Sequence, residues 1–233
     1  MSGARMSTRV VNISVVIPVF HEQERINGLI SQLREQDAAC EIIVVDGDTE
    51  VSTLAVIHDP SVIKLAAPRG RGAQLAAGTA IAGGQAILML HADARLPDKG
   101  LSQLSEAVST GATWGAFRLG IDAEAMAYRI IERGVDVRCR LFSLPYGDQG
   151  IFVRRSALAQ IGGMPPIPIM EDVALASRLR QVCGPCALLA GRVRVSARRW
   201  QQDGILRRTL KNWGLLARYR AGADPVRLAQ EYR

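Results

Sequence analysis

Apolar and polar positions follow two rhythms over the first hundred residues. Short runs that are apolar at nearly every position (Ile13 to Pro18, Ile42 to Val45, Val62 to Leu65 and Ile87 to Leu90) predict strands covered on both faces, as in a parallel sheet. Between them apolar residues recur at helical spacing. Ile26, Leu29, Ile30 and Leu33 are the clearest case, followed by a small-residue helix over Leu75 to Ile81 and another from about Leu101 to Val108. Strand and helix alternating in this order predict right-handed crossovers. The pattern then changes. Trp114 to Ile121 alternates as a strand of a mixed sheet, Ala123 to Phe142 is helical, and Ile151 to Arg154 is a further strand. Arg129, Arg133, Arg138 and Arg140 make one side of that helix basic. Pro165-Pro-Ile-Pro168 blocks helix until Glu171-Asp172, after which Val173, Leu175 and Leu179 restore the helical period. The predicted class is α/β, a mostly parallel mixed sheet flanked by helices. The domain spans 12–200, with an N-terminal tail over 1–11 and a helical extension over 201–233.

Two of these strands end on a carboxylate. Glu41 to Asp46 finishes at Asp46, and the strand before Leu90-His91-Ala92-Asp93 runs straight into Asp93 before Pro97-Asp98 turns the chain. A single Asp after a strand is a common turn residue. Two at the same sheet edge are harder to dismiss, because ligands of open α/β sheets collect at the carboxyl ends of the strands, where an Asp can hold a divalent cation carrying a diphosphate. Arg69-Gly70-Arg71-Gly72-Ala73-Gln74 reads as a flexible basic loop opening a helix, where backbone amides and an arginine can meet phosphate. Its spacing is not that of a Walker loop, and no Gly-x-Gly-x-x-Gly follows the first strand. ATPase and dinucleotide oxidoreductase chemistry are therefore disfavoured.

Composition adds limits. A chain of 233 residues that is 48% apolar can bury a real core, and its formal charge of +7 suits anionic partners. Positive charge thickens after Arg178. No apolar run approaches the roughly 18 residues of a membrane span, and the N-terminus has no apolar signal core, so a cytoplasmic protein is expected. Cys183-Gly-Pro-Cys186 copies a redox string but follows a helix instead of opening one, so the helix dipole cannot activate its thiols.

Taken together, four strings resemble the inverting nucleotide-sugar glycosyltransferases of family 2, which have the GT-A (Rossmann-like, nucleotide-diphospho-sugar transferase) fold. They are Val16-Ile-Pro18-Val-Phe-His-Glu22, Ile43-Val-Val-Asp46-Gly, Leu90-His-Ala-Asp93 and Met170-Glu171-Asp172. Arg69 to Gln74, Gly147-Asp-Gln-Gly150 and Ser196-Ala-Arg198-Arg-Trp200 further resemble a bacterial subgroup associated with arsenosugar biosynthesis. The resemblance implies a nucleoside-diphosphate sugar as donor, with Pro18, Glu22 and Asp46 at the nucleoside and Arg71 facing base or phosphates. It implies Asp93 as ligand to Mg²⁺ or Mn²⁺, and Asp172, with Glu171 beside it, as general base toward a small-molecule or lipid-linked acceptor. A helix N-terminus lowers a carboxylate's pKa, so burial or Glu171 would have to oppose that shift at Asp172. His91 stands where the family usually has a second acid, and hydrogen bonding suits it better than ligating Mg²⁺, which prefers oxygen. Asp48-Thr49-Glu50 and Ala76 also depart from the family pattern.

Past Trp200 the family strings end. Ile205, Leu206, Leu210, Trp213, Leu216 and Ala217 share one helical face, with Arg207, Lys211 and Arg218 opposite. Such a helix over 204–220 either packs on the domain or a second subunit, forming a homodimer, or lies peripherally on an anionic membrane face. Two other functions compete with the transferase. A nucleotidyltransferase would want a glycine-rich first loop and a catalytic Lys, which Val19-Phe20-His21-Glu22 does not supply. A basic RNA-binding module would want clustered aromatics, and only four Phe, four Tyr and three Trp are scattered over the chain, so nucleic acid is not an expected partner.

Overall fold

The computed structural model describes residues 11–198 and 204–231, with the side chains of 205–210 left out. The N-terminal tail, the 200/201 boundary, Trp200 and the apolar face at Ile205, Leu206 and Leu210 therefore lie outside the described residues. Seven strands form one sheet in the order β3-β2-β1-β4-β6-β5-β7. They are β1 (Ile13–Val19), β2 (Glu41–Asp46), β3 (Ile63–Ala66), β4 (Ala86–Met89), β5 (Trp114–Asp122), β6 (Ile151–Arg154) and β7 (Ala187–Ser196). All neighbours pair in parallel except β6, which runs antiparallel between β4 and β5. Helices α1 (Ile26–Gln36), α2 (Ser52–Ala55), α3 (Arg71–Ile81), α4 (Gly100–Ser109), α5 (Met126–Phe142), α6 (Arg155–Gln160), α7 (Glu171–Cys183), α8 (Ile205–Arg220) and α9 (Pro225–Glu231) cover it.

Two apolar layers hold the sheet. One joins the odd-numbered side chains of β1 to α1 and α4; the other joins Val16, Ile43 and Ile87 to α3, α6 and α7. In α1 the predicted face is the buried one, Ile26, Leu29, Ile30 and Leu33, each contributing roughly 1.5–3 kcal/mol of burial as an upper estimate. Glycine sets how close α3 can come. A Cβ on Gly78 would sit 2.4 Å from Val16 Cγ1 and one on Gly72 would sit 2.1 Å from the Ile167 carbonyl. The first contact seats α3 on the sheet, and the second lets the segment before α7 lie against the first turn of α3.

Pro18, the last residue of the predicted run, does not end the pairing of β1. It is matched to Val45, and Val19 to Asp46. Leu90 N–H donates to the Val16 carbonyl, so the even-numbered residues of β1 face β4, and β4 stops at Met89. The N–H that Pro18 lacks points to a side where no strand remains. The helix expected from Ala123 begins at Met126, and the short elements α2, α6 and a 3₁₀ turn at Gly147–Gln149 add to the expected set.

β5 outruns the sheet. Ala116 pairs with Ile151, which pairs with Met89, so Phe117 to Asp122 continue past the carboxyl end of β4 with only β7 beside them. This two-stranded arm stands at the edge where Asp46 and Asp93 emerge, and α5 packs back along it. Cys183 closes α7 and Cys186 precedes β7, both as free thiols. Burial pushes the Cys186 thiol up to about 12, with neighbouring Cys139 adding to the shift, so it is a poor redox nucleophile at neutral pH.

Candidate active site

Asp93 lies in the turn after β4. Ala92, Ala94 and Leu96 are buried beside it, and Arg95 exchanges two backbone hydrogen bonds of 2.9 Å with Arg194 on the β7 arm. With its neighbours anchored inward, Asp93 points outward and is exposed. Its carboxylate takes part in no hydrogen bond or salt bridge among the described residues. It opens onto a cavity of 350 Å³ shared with Arg71, His91, Asp148, Glu171 and Asp172, and on its other side onto a larger groove of 880 Å³ between α1 and α4. The larger groove is lined by Glu24, Glu35, Asp98, Arg25, Arg95 and Lys99, whereas Arg71, His91 and the acids Glu171 and Asp172 line the smaller cavity and not the groove, so the smaller cavity is where the candidate residues converge.

The acids of α7 reach that cavity because Pro165 to Pro168 keep the preceding segment extended and Met170 adopts a left-handed φ of 61°. Glu171 is 1% exposed; one of its oxygens accepts from Arg71 Nε, and the other, Oε2, is buried with no partner. Burial raises the Glu171 carboxyl above its ordinary value, Asp172 adds to the rise and Arg71 opposes it. Asp172 Oδ2 accepts from Gly147 N–H at 2.7 Å, and its Oδ1 from Val173 N–H at 2.8 Å. Arg71 Nη2 stands 3.6 Å from Asp172 Oδ2, and Nη1 stands 3.4 Å from His91 Nε2. A guanidinium only donates, so this last contact needs the His91 tautomer with Nε2 bare. Arg71 thus lines the cavity with its guanidinium turned to the α7 acids.

Gly147 sits where these groups converge. A Cβ there would be 3.1 Å from His91 Nε2 and 3.4 Å from Asp172 Oδ2. Its turn is fixed from behind by Gln149, which is fully buried. Gln149 Oε1 accepts from Tyr146 N–H and Arg138, and its Nε2 donates to the Phe117 carbonyl. The Arg138 guanidinium also stacks 3.5 Å over Tyr146. Sequence reasoning used this stretch only as a resemblance and missed Asp148, whose Oδ1 is buried without a partner and whose pKa burial raises. The polar triplet between an aromatic residue and a strand was the available signal.

The nucleoside candidates lie on or after β1, one strand over from β4, and at the end of β2, two strands over. Asp46 is 0% exposed, and both its oxygens are taken, Oδ1 by Asp48 N–H at 3.0 Å and Oδ2 by Thr53 N–H at 3.1 Å. Glu22 pairs with Arg25 at 2.7 Å, and its N–H donates to Thr53 Oγ1. Neither lines the cavity of Asp93 and Asp172. Pro18 lines a 10 Å³ recess that also touches His91, Gly147 and both α7 acids. Gln74, another residue that sequence reasoning missed, donates to the Val19 and Val45 carbonyls at 2.7 and 2.8 Å and ties the ends of β1 and β2 together. Arg69 stacks 4.1 Å over Phe20 beside them.

Among the described residues no three His, Cys, Asp or Glu side chains are gathered to hold a metal on their own. A free, exposed carboxylate on a cavity wall fits a hard cation that keeps waters and takes further oxygens from a bound phosphate, as Mg²⁺ commonly does. Asp93 is the residue that meets this description.

The fold and the site define a GT-A type transferase scaffold. The chain belongs to glycosyl transferase family 2, whose model matches residues 14–160. Among solved structures it is similar to S. aureus TarS 1-349, with TM-score 0.62 and 15% identity over 80% of this chain and 60% of that one. It is also similar to the mannosyltransferase PcManGT from Pyrobaculum calidifontis in complex with GDP-Man and Mn²⁺, with TM-score 0.54 and 18% identity over 80% and 56% of the two chains. Glucosyl-3-phosphoglycerate synthase from Mycobacterium tuberculosis, in complex with Mg²⁺ and UDP, gives TM-score 0.55 and 17% identity over 80% and 70%. The chain thus spans about 60% of the length of TarS 1-349. No curated protein matches the sequence significantly.

Proposed function

We propose that this chain transfers a sugar from a nucleoside-diphosphate sugar to an acceptor hydroxyl with inversion. The observation that carries the reading is that Asp93 and Asp172 open onto one cavity with Arg71 and His91 beside them. Asp93 would hold Mg²⁺ or Mn²⁺, and the bound cation supplies neutralisation of charge on the departing diphosphate. Asp172 receives the acceptor's proton. Its Gly147 and Val173 hydrogen bonds orient the carboxylate and still leave lone pairs for the incoming hydroxyl. Asp46 organises the loop after β2, and Glu22, Pro18 and the Phe20–Arg69 stack would meet the nucleoside. Among the described residues the cavity carries four carboxyl groups, Asp93, Asp148, Glu171 and Asp172, and one arginine, Arg71, which favours an acceptor without an anionic group near its reacting hydroxyl. The narrower likeness to the arsenosugar-associated subgroup is part of this proposal and rests on the quoted strings.

The test combines binding with turnover. UDP-, GDP- and dTDP-sugars are screened by thermal shift with and without Mn²⁺, because a ligand of the native state raises apparent stability. Asp172→Asn is expected to keep the donor's shift while release of nucleoside diphosphate falls on the order of 10²- to 10⁴-fold. A variant that turns over normally, or a wild type that responds to no donor, would sink the assignment.

A further inference from the structure

The outer face of α5 is not accounted for by the sheet, the cavity or the transfer reaction. Met126, Ile130, Val137 and Leu141 fall on one stripe of this helix and stay 52–70% exposed, and Phe142, on another side of its last turn, is 55% exposed. Four large apolar side chains along one side of a helix of about 25 Å are unusual on a protein surface that faces only water. Their polar neighbours are of one sign. Arg133 and Arg140 are exposed beside the stripe, with Arg129 partly so. The two acids of the helix point the other way. Glu132 and Asp136 are 4% and 8% exposed, and they pair with Arg129 at 2.9 Å and Arg192 at 3.0 Å beneath the helix. No carboxylate of α5 is therefore left to offset the arginines; the exposed acids next in sequence, Asp122 and Glu124, precede its first turn.

We propose that α5 docks this protein on an anionic lipid bilayer, its apolar stripe entering the headgroup boundary and Arg133 and Arg140 meeting lipid phosphates. An apolar face with a basic border matches a membrane interface in both chemistry and charge. A second copy fits less well, because a two-fold contact brings the same basic border against itself with no exposed α5 acid to answer it. The sequence had singled out 204–220 for a membrane role. In the structure Leu215 is buried, and Leu216 and Tyr219 pack on the domain, so part of that helix is occupied, although Trp213 stays exposed. None of the described helices is long and apolar enough to cross a bilayer, which leaves surface docking as the mode. The placement suits access to the site, since α5 leads directly into Tyr146 and Gly147. The proposal itself does not depend on the transferase reading.

The full chain is mixed with phosphatidylcholine vesicles with and without phosphatidylglycerol, and bound protein is measured by co-sedimentation. Binding is expected only with phosphatidylglycerol and is expected to weaken at high salt. Ile130→Gln with Leu141→Gln should weaken it on the order of tenfold or more, and Arg133→Gln with Arg140→Gln on the order of tenfold. All four sites are exposed, so melting temperature and circular dichroism should match wild type, which separates lost docking from lost folding. Wild type that ignores anionic vesicles, or α5 variants that bind as wild type does, would overturn the proposal. So would loss of binding in Trp213→Ser alone, which assigns the surface to α8, or a solution dimer that Ile130→Gln with Leu141→Gln splits, which assigns the stripe to a second copy.

Discussion

Asp46 is the last residue of β2 and Asp93 stands in the turn after β4, both at the carboxyl edge of the sheet, yet the fold treats them in opposite ways. The chain after Asp46 turns back over it, so that Asp48 and Thr53 donate their N–H groups to its two oxygens and the carboxylate is sealed. The chain after Asp93 is held down by Ala94, Leu96 and the Arg95–Arg194 bridge, which leaves the carboxylate outside with no hydrogen bond or salt bridge among the described residues. A strand that ends in an acid thus marks an edge of the sheet. What the acid does there is decided by the next few residues and by whether they supply backbone donors.

The comparison predicts a reciprocal pair of phenotypes, and this is the largest effect expected. Asp46→Ala leaves two inner N–H groups without acceptors and should cost about 2–4 kcal/mol, a fall in Tm of roughly 5–15 °C. Asp93→Ala should change stability by less than about 0.5 kcal/mol while abolishing any Mn²⁺-dependent stabilisation by a sugar donor. Thermal melts of both variants, with and without donor and metal, check it. Equal melting temperatures for Asp46→Ala and wild type would break the distinction.

A second contrast separates Arg71 from Arg69. Arg69 stacks on Phe20 at the edge, whereas Arg71 holds Glu171, whose carboxyl is 1% exposed. Removing one partner of a buried pair typically costs about 3–5 kcal/mol, and because the Arg71 side chain is 36% exposed to water we expect about 2 kcal/mol for Arg71→Ala. Adding Glu171→Gln should restore much of that loss, since the uncompensated charge is then gone. Arg69→Ala should stay within about 0.5 kcal/mol of wild type. Urea unfolding midpoints for wild type, Arg71→Ala, Glu171→Gln, their double variant and Arg69→Ala settle the order, and a double variant less stable than the sum of its two single variants predicts would show that Arg71 acts through something other than Glu171.

These contrasts also show what was legible in the sequence. The strands β1, β2 and β4 and the helix α1 were readable because their burial follows from local period: a run apolar on every position has to be covered on both faces. Asp93 was placed at the sheet edge from that reading and Asp172 was named only through the family resemblance; the structure brings the two to one cavity. The pairing of Arg71 with Glu171, a hundred residues later, was not readable, because it depends on Gly72 accepting the Ile167 carbonyl at close range. Gly70 and Gly72 looked like a flexible phosphate loop; Gly72 is a packing contact. Asp148 was missed for a similar reason. Its burial follows from Gln149 and Arg138 fixing the turn, both through contacts that no periodicity records.

Asp148 gives the smallest effect and the finest test, because it shares the cavity with Asp93 but has one carboxylate oxygen buried without a partner, whereas Asp93 is exposed. Burial raises the Asp148 carboxyl above its ordinary value. The folded protein therefore holds this proton more tightly than the unfolded chain does. The stability the group contributes is fully present below the unfolded value near about pH 4 and is lost as pH rises through the higher folded value. Asp148→Asn has no proton to release. Its Tm relative to wild type should rise as pH is taken from acid to neutral and then level off. Glu171 shifts in the same direction, but it is common to both proteins and drops out of the difference to first order. A Tm difference for Asp148→Asn that is flat across the range, or that falls with pH, would mean the enclosed oxygen is compensated in solution and that burial does not set these two aspartates apart.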